Sequence, residues 1–182
     1  MAATDRAQLR EYIQCLAIIH GPTILSSGRM GAYYFDLRLI TLHGRAAPLV
    51  GRVMLDLVDD WTFAAAGGPT MGADPVAAAM LHAAVARRRT LDTFVVRKVA
   101  KPHGLQKAVE GPDVAGRRVL VVEDTSTTGG SVLQAVETLR QSGARVIGVA
   151  VIVDRNTGAR ETVEAAGLPY RAAFDLHEFG LS

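Results

Sequence analysis

Thirteen consecutive residues concentrate groups that can hold an anion and a sugar: Val119-Leu120-Val121-Val122-Glu123-Asp124-Thr125-Ser126-Thr127-Thr128-Gly129-Gly130-Ser131. Four apolar residues read as a buried strand, two adjacent carboxylates stand at its end, and a turn of hydroxyls and glycines opens into a helix. Such a turn offers backbone N–H groups, the hydroxyls of Thr125, Ser126, Thr127, Thr128 and Ser131, and the positive end of a helix, which together make a phosphate cradle. Glu123 and Asp124 are placed to accept hydrogen bonds from sugar hydroxyls beside that phosphate. No Lys follows the glycines, and the spacing is neither Gly-x4-Gly-Lys nor Gly-x-Gly-x-x-Gly. A sugar phosphate suits the combination better than a nucleotide polyphosphate. The plainer alternative is an acidic, capped turn with no ligand.

A second cluster is cationic. The chain has 17 arginines but three lysines, and Lys98, Lys101 and Lys107 fall within ten residues. Arg97-Lys98-x-x-Lys101-x-His103-Gly104 ends a strand and enters a polar stretch with Pro102, Gly104 and Gly111. A loop of this kind can close over a polyanion, complete the charge around it and exclude water; a solvated surface loop is the alternative. Asp154-Arg155 follows another apolar strand, so Arg155 should emerge at the same sheet edge as the phosphate turn. A guanidinium there can grip a planar carboxylate through two parallel hydrogen bonds, or it can pair with Asp154 or cap a helix. His20, His43, His82 and His177 have no spacing that suggests a metal site.

These groups need a scaffold. Leu9 to Ile19 reads as an amphipathic helix, followed by an extended region ending in Tyr33-Tyr34-Phe35-Asp36-Leu37. A helix over about 45–58 precedes a regular alternation. Strands are expected at 63–66, 93–97, 119–122, 146–153 and 170–174. Helices are expected from Asp74-Pro75 to about Arg88, over 131–141 and over 157–166. Short apolar strands alternating with helices predict an α/β fold: a parallel sheet of about five strands, flanked by helices. Ligands bind such sheets at the carboxyl ends of the strands, where these motifs fall.

Composition narrows the classes further. With 182 residues, 49% hydrophobic and 21% charged, the chain suits one globular domain and needs no staple. A formal net charge of +2 without a basic tract argues against nucleic acid. The longest apolar run, Val76 to Ala86, is too short for a bilayer and contains His82. Cys15 stands alone, which excludes an internal disulfide and fits a reducing, cytoplasmic setting.

The thirteen-residue stretch resembles the phosphoribosyl pyrophosphate (PRPP) signature of the type I phosphoribosyltransferases. Arg97-Lys98-x-x-Lys101-x-His103-Gly104, Asp154-Arg155 and Ser27-Gly28-Arg29…Tyr33-Tyr34-Phe35 narrow the resemblance to the orotate-using branch, in its actinobacterial form, over nearly the whole chain. The resemblance implies a single phosphoribosyltransferase domain over 1–182, with an N-terminal helix and hood to about residue 40 and an α/β core over about 41–182. It implies Mg²⁺-dependent transfer of ribose 5-phosphate from PRPP to orotate, giving orotidine 5′-monophosphate and pyrophosphate in pyrimidine biosynthesis. Catalytic roles are implied for Lys101 and Asp124. PRPP contacts are implied for Arg97, Lys98, Lys101, His103 and Glu123 through Ser131, and orotate contacts for Thr127, Arg155, Tyr34 and Phe35. Mg²⁺ would ride with the pyrophosphate, without a dedicated protein site, and loop 98–111 would complete the neighbouring site of a homodimer. The turn Ala66 to Asp74 would lie beside the pyrophosphate. Here the chain departs from the common pattern, with Met71-Gly72 in place of Tyr-Lys and Ser26 in place of a lysine. A purine or uracil phosphoribosyltransferase, or a regulator using PRPP as effector, shares the phosphate turn; the lysine loop and Arg155 favour orotate.

Overall fold

A computed structural model describes residues 3–24, 30–97 and 107–181. The chain begins with α1 (Ala3–Tyr12), which passes through a wider π turn (Ile13–Ala17) into β1 (Ile18–Ile24). The helix expected to Ile19 therefore stops early. Ile18 is extended, with φ −95° and ψ 103°, and pairs with Phe35 of the antiparallel strand β2 (Met30–Phe35). Strand pairing with a distant segment overrides the local helical pattern. Leu9, Ile13 and Ala17, four residues apart, share the buried face, while Leu16 is exposed.

After a short helix α2 (Arg38–Thr41) and α3 (Ala47–Leu57), strands and helices alternate. β3 (Ala65–Pro69), α4 (Ala73–Ala86), β4 (Asp92–Val96) and the two-residue β5 (Val109–Glu110) come first. β6 (Arg118–Ser126), α5 (Gly130–Gln141), β7 (Arg145–Asp154), α6 (Ala159–Ala165) and β8 (Tyr170–Asp175) follow. The sheet has six strands in the order β5-β4-β3-β6-β7-β8. Five are parallel, as the sequence pattern predicts, and the sixth, β5, runs antiparallel to β4 at the edge. Helix α4 opens at Ala73, one residue before its Asp-Pro signal, with Gly72 at the N-cap position. Asp74 instead accepts a 2.7 Å hydrogen bond from the Thr70 hydroxyl and braces the preceding turn.

Alternation along the strands splits the core. Leu120, Val122 and Ile152 face Leu9, Ile13, Val50, Met54 and Met80 of the first helices. Val119, Val121, Val149 and Val151 face Val132, Val136, Leu139 and Val163 of α5 and α6. Burial on both sides explains why β6 and β7 carry apolar runs until their carboxyl ends, where the polar residues begin. No helix among the described residues is long and apolar enough to cross a membrane.

Candidate active site at the carboxyl edge of the sheet

Strand β6 delivers Glu123 and Asp124 to the sheet edge, and Gly129 turns the chain into α5. Gly129 has φ +79°, in the left-handed region that favours glycine. The first turn of α5 cannot satisfy its own N–H groups, so these point outward with the exposed Thr127, Thr128 and Ser131. The Ser131 hydroxyl donates to Glu123 at 3.2 Å, which ties the helix start to the strand end. Thr157 donates to the carbonyl of Thr127 at 2.7 Å and fixes the turn from the β7 side.

Asp124 is half-buried, and burial pushes its carboxyl up from the ordinary value of 3.8. The Thr125 N–H, 2.7 Å from Oδ1, and the charge of Arg38 act in the other direction. Gly72 packs directly against this carboxylate: a Cβ there would lie 2.6 Å from Oδ1. The glycine that replaces a lysine of the common pattern thus sits where a side chain would displace Asp124.

Ser126 belongs to the same turn, but its side chain is buried under it, near Tyr170 and Asp154. It can offer a ligand only its main chain; its carbonyl accepts from Arg155 N at 3.0 Å. Asp154 is buried too and accepts from the Asn156 N–H at 2.9 Å, so it is a turn brace. Burial beside Asp154 raises the Tyr170 phenol well above its ordinary value. Arg155 projects from the end of β7 with its guanidinium carbon 6.0 Å from the Tyr33 ring centroid.

The aromatic strand β2 divides its residues between two faces. Phe35 is mostly buried, with its ring 5.7 Å from that of Phe179, and it borders the same cleft as Tyr34. Tyr34 faces a cleft of about 420 Å³ that also takes in Arg38, Thr70, Gly72, Asp124 and Thr125. Its hydroxyl accepts from Arg38 Nη2 at 3.2 Å. Tyr33, Asp36, Arg38 and Thr70 escaped the residue-by-residue reading of the sequence. The opposite charges of Asp36 and Arg38, two positions apart after an aromatic run, are the signal that could have found them.

Arg97 follows β4 directly; its N–H donates to Ala108 O at 2.9 Å and its guanidinium pairs with Glu110 at 3.7 Å. With Pro69, Ser131 and Gln134 it lines a small cavity beside the start of α5. Lys98, Lys101 and His103 lie outside the described residues, as does Ser26. The hairpin of β4 and β5 closes the base of that segment. Among the described residues no three His, Cys, Asp or Glu side chains converge as a metal cage.

A doubly covered parallel sheet with a hydroxyl- and glycine-rich turn after a di-acid defines a phosphoribosyltransferase, and residues 45–166 match the family model for the phosphoribosyl transferase domain. An orotate phosphoribosyltransferase of Streptomyces avermitilis is 66% identical over 177 residues, 97% of each chain. The crystal structure of the Mycobacterium tuberculosis H37Rv orotate phosphoribosyltransferase with Fe(III) dicitrate superposes with a TM-score of 0.89 at 54% identity, covering 97% of this chain and 99% of that one. The same enzyme's complex with PRPP gives a TM-score of 0.85 at 50% identity, over 97% of this chain and 99% of that one. The chain belongs to the orotate phosphoribosyltransferase family.

Proposed function

We propose that this protein transfers ribose 5-phosphate from PRPP to N1 of orotate, releasing pyrophosphate and forming orotidine 5′-monophosphate for pyrimidine biosynthesis. The observation that carries the reading is the convergence, at one sheet edge, of the Asp124 carboxylate, the Thr127–Ser131 turn and Arg155. The turn holds the 5′-phosphate on the amides at the start of α5. Glu123 and Asp124 take the ribose hydroxyls, and Arg155 with Thr127 reads the orotate carboxylate.

Breaking the bond from the anomeric carbon to pyrophosphate leaves positive charge on the ribose and negative charge on the departing group. Arg97, just after β4, and Lys101 stabilise the pyrophosphate, with Lys98 and His103 beside them; orotate N1 then takes the anomeric carbon and gives up its proton to the departing pyrophosphate or to water. This is electrostatic catalysis, without a covalent enzyme intermediate. Asp124 holds the sugar next to the developing cation and, as a half-buried carboxylate, favours it. Glu123 and Asp124 fit a Mg²⁺ that keeps most of its water and arrives on the substrate phosphates. When bound, that ion would neutralise charge on the leaving group.

The active form is a homodimer in which segment 98–111 of one subunit completes the site of the other. A cytoplasmic setting fits the exposed Cys15, which has no second cysteine in the chain. The deciding experiment is a base screen with PRPP and Mg²⁺, scoring pyrophosphate release against orotate, uracil, hypoxanthine and adenine. Release with orotate alone is expected. Release with another base and none with orotate overturns the reading.

A further inference from the structure

The cleft between β2–α2 and the turn 70–72 has an unusual charge arrangement. Three carboxylates, Asp36, Glu123 and Asp124, line it beside a single cation among the described residues, Arg38. Turn 70–72 adds Thr, Met and Gly, none of them charged, and a Cβ at Gly72 would come 2.6 Å from Asp124 Oδ1 and displace that carboxylate. A polyanion seated against this turn would therefore find its positive charge on the opposite wall.

Arg38 is built to present that charge. Its Nε donates to Asp36 Oδ1 at 2.7 Å and its Nη2 to Asp36 Oδ2 at 3.1 Å. Nη2 also reaches the Tyr34 hydroxyl at 3.2 Å, while Nη1 makes no hydrogen bond among the described residues. One edge of the guanidinium is thus anchored and the other is open. Almost half of the side chain is exposed, 45%, whereas Asp36 is 18% exposed. The Tyr34 hydroxyl accepts from Arg38, which leaves its own proton available to an anion. Two donors therefore point from the hood to the turn opposite Asp124.

Resting on the function proposed above, we propose that Arg38, with Tyr34 beside it, is a binding residue for the pyrophosphate group of PRPP. With Asp124 on the ribose, turn 70–72 and the hood form the walls of the cleft that opens beside the sugar, and the group on C1 has room between them. A guanidinium can take two phosphate oxygens at once, and its fork geometry distinguishes it from a lysine. The role is specific to pyrophosphate: orotidine monophosphate shares the ribose 5-phosphate but lacks the pyrophosphate, and its carboxylate goes to Arg155.

Calorimetric titration of PRPP, inorganic pyrophosphate and orotidine monophosphate, each with Mg²⁺, tests this. Arg38→Ala should weaken PRPP and pyrophosphate by about tenfold or more, as for a lost charge-assisted contact, and leave orotidine monophosphate unchanged. Arg38→Lys should recover part of the loss, and Tyr34→Phe should show a smaller loss on the same two ligands. Asp36→Asn combined with Arg38→Ala controls for a stranded carboxylate: it should stay weak, and a return to the unaltered affinity overturns the proposal. Equal weakening of all three ligands also overturns it, making Arg38 a brace of the hood, as does a loss confined to orotidine monophosphate. Failure of the unaltered protein to bind PRPP at all would instead strike the underlying function.

Discussion

The Arg155 guanidinium lies 6.0 Å from the centre of the Tyr33 ring, joining the end of β7 to the hood strand β2 across the sheet edge. The aromatic face limits the positions open to the cation and leaves its fork available for a planar carboxylate. Arg155→Ala should weaken orotate by roughly 1.5–3 kcal/mol and PRPP far less. Arg155→Lys should restore only part, because the two-pronged geometry is lost. Tyr33→Leu should cost orotate a smaller amount, about 0.5–1 kcal/mol. Separate equilibrium titrations of the two substrates check all three; equal losses for both would remove Arg155 from orotate recognition.

Asp124 connects binding to stability. Asp124→Asn keeps the shape and deletes the charge, so PRPP and orotidine monophosphate should both bind less well. The stability effect has the opposite sign. Burial raises the folded carboxyl above 3.8, so the folded state holds its proton over a range where the unfolded chain has lost it. Stability is then lost as pH rises from 3.8 to the raised value, and the full penalty applies at neutral pH. Denaturant melts should show the Asn variant at least as stable as the unaltered chain at neutral pH. That advantage should vanish below 3.8. A variant less stable at neutral pH would show that the carboxylate mainly braces the turn.

The phosphate turn depends on one backbone conformation. Gly129→Ala places a Cβ on a residue with φ +79° and 3.3 Å from the Ala159 carbonyl oxygen. Strain of this kind costs about 1–2 kcal/mol, and relaxing it moves the amides that open α5. Gly129→Asn should be milder, since Asn tolerates the left-handed region. Thermal melts should rank the unaltered chain, Asn and Ala in that order, and PRPP affinity should follow the same ranking. Alanine equal to glycine in both would mean that the turn rearranges freely.

The elements that were legible in the sequence share a physical character. β6 and β7 are buried on both faces, so their apolar runs announce them, and the turn after β6 is local chemistry that needs no distant partner. What stayed hidden depends on contacts far apart in sequence. β5 has two residues and α2 four, too few for any periodicity to register. Alternation in β2 says that Tyr33 and Tyr34 face opposite ways, but not which of them meets Arg155. Burial of Phe35 against Phe179 makes that choice, and Phe179 lies at the other end of the chain. The hood residues Asp36 and Arg38 reach Asp124 only once β1 and β2 have folded over the sheet edge. Burial of the Ser126 hydroxyl is hidden for the opposite reason: it stands in the right turn, but the strand register turns its side chain inward.

The shared site is open to a direct test by mixing subunits. The segment carrying Lys101 and His103 leaves the sheet at Arg97 and returns at the β5 edge, where Val95 pairs with Glu110 and Val96 with Val109. Both ends are thus held at one place, beside the start of α5. The nine residues 98–106 can carry their middle at most roughly 15–18 Å from that base, because a fully extended chain spans about 3.3–3.6 Å per residue and must go out and back. In a closed two-fold dimer each subunit would give and receive the same contact. Lys101→Ala removes the proposed reaching cation, and Asp124→Ala removes the receiving carboxylate; each homodimer should be inactive. After subunit exchange, a heterodimer should hold one site lacking both groups and one with both intact. Roughly half the activity per heterodimer should return, in proportion to its fraction measured by mass spectrometry. No recovery once exchange is demonstrated would mean that Lys101 serves its own chain, and the transfer chemistry would stand without the shared site.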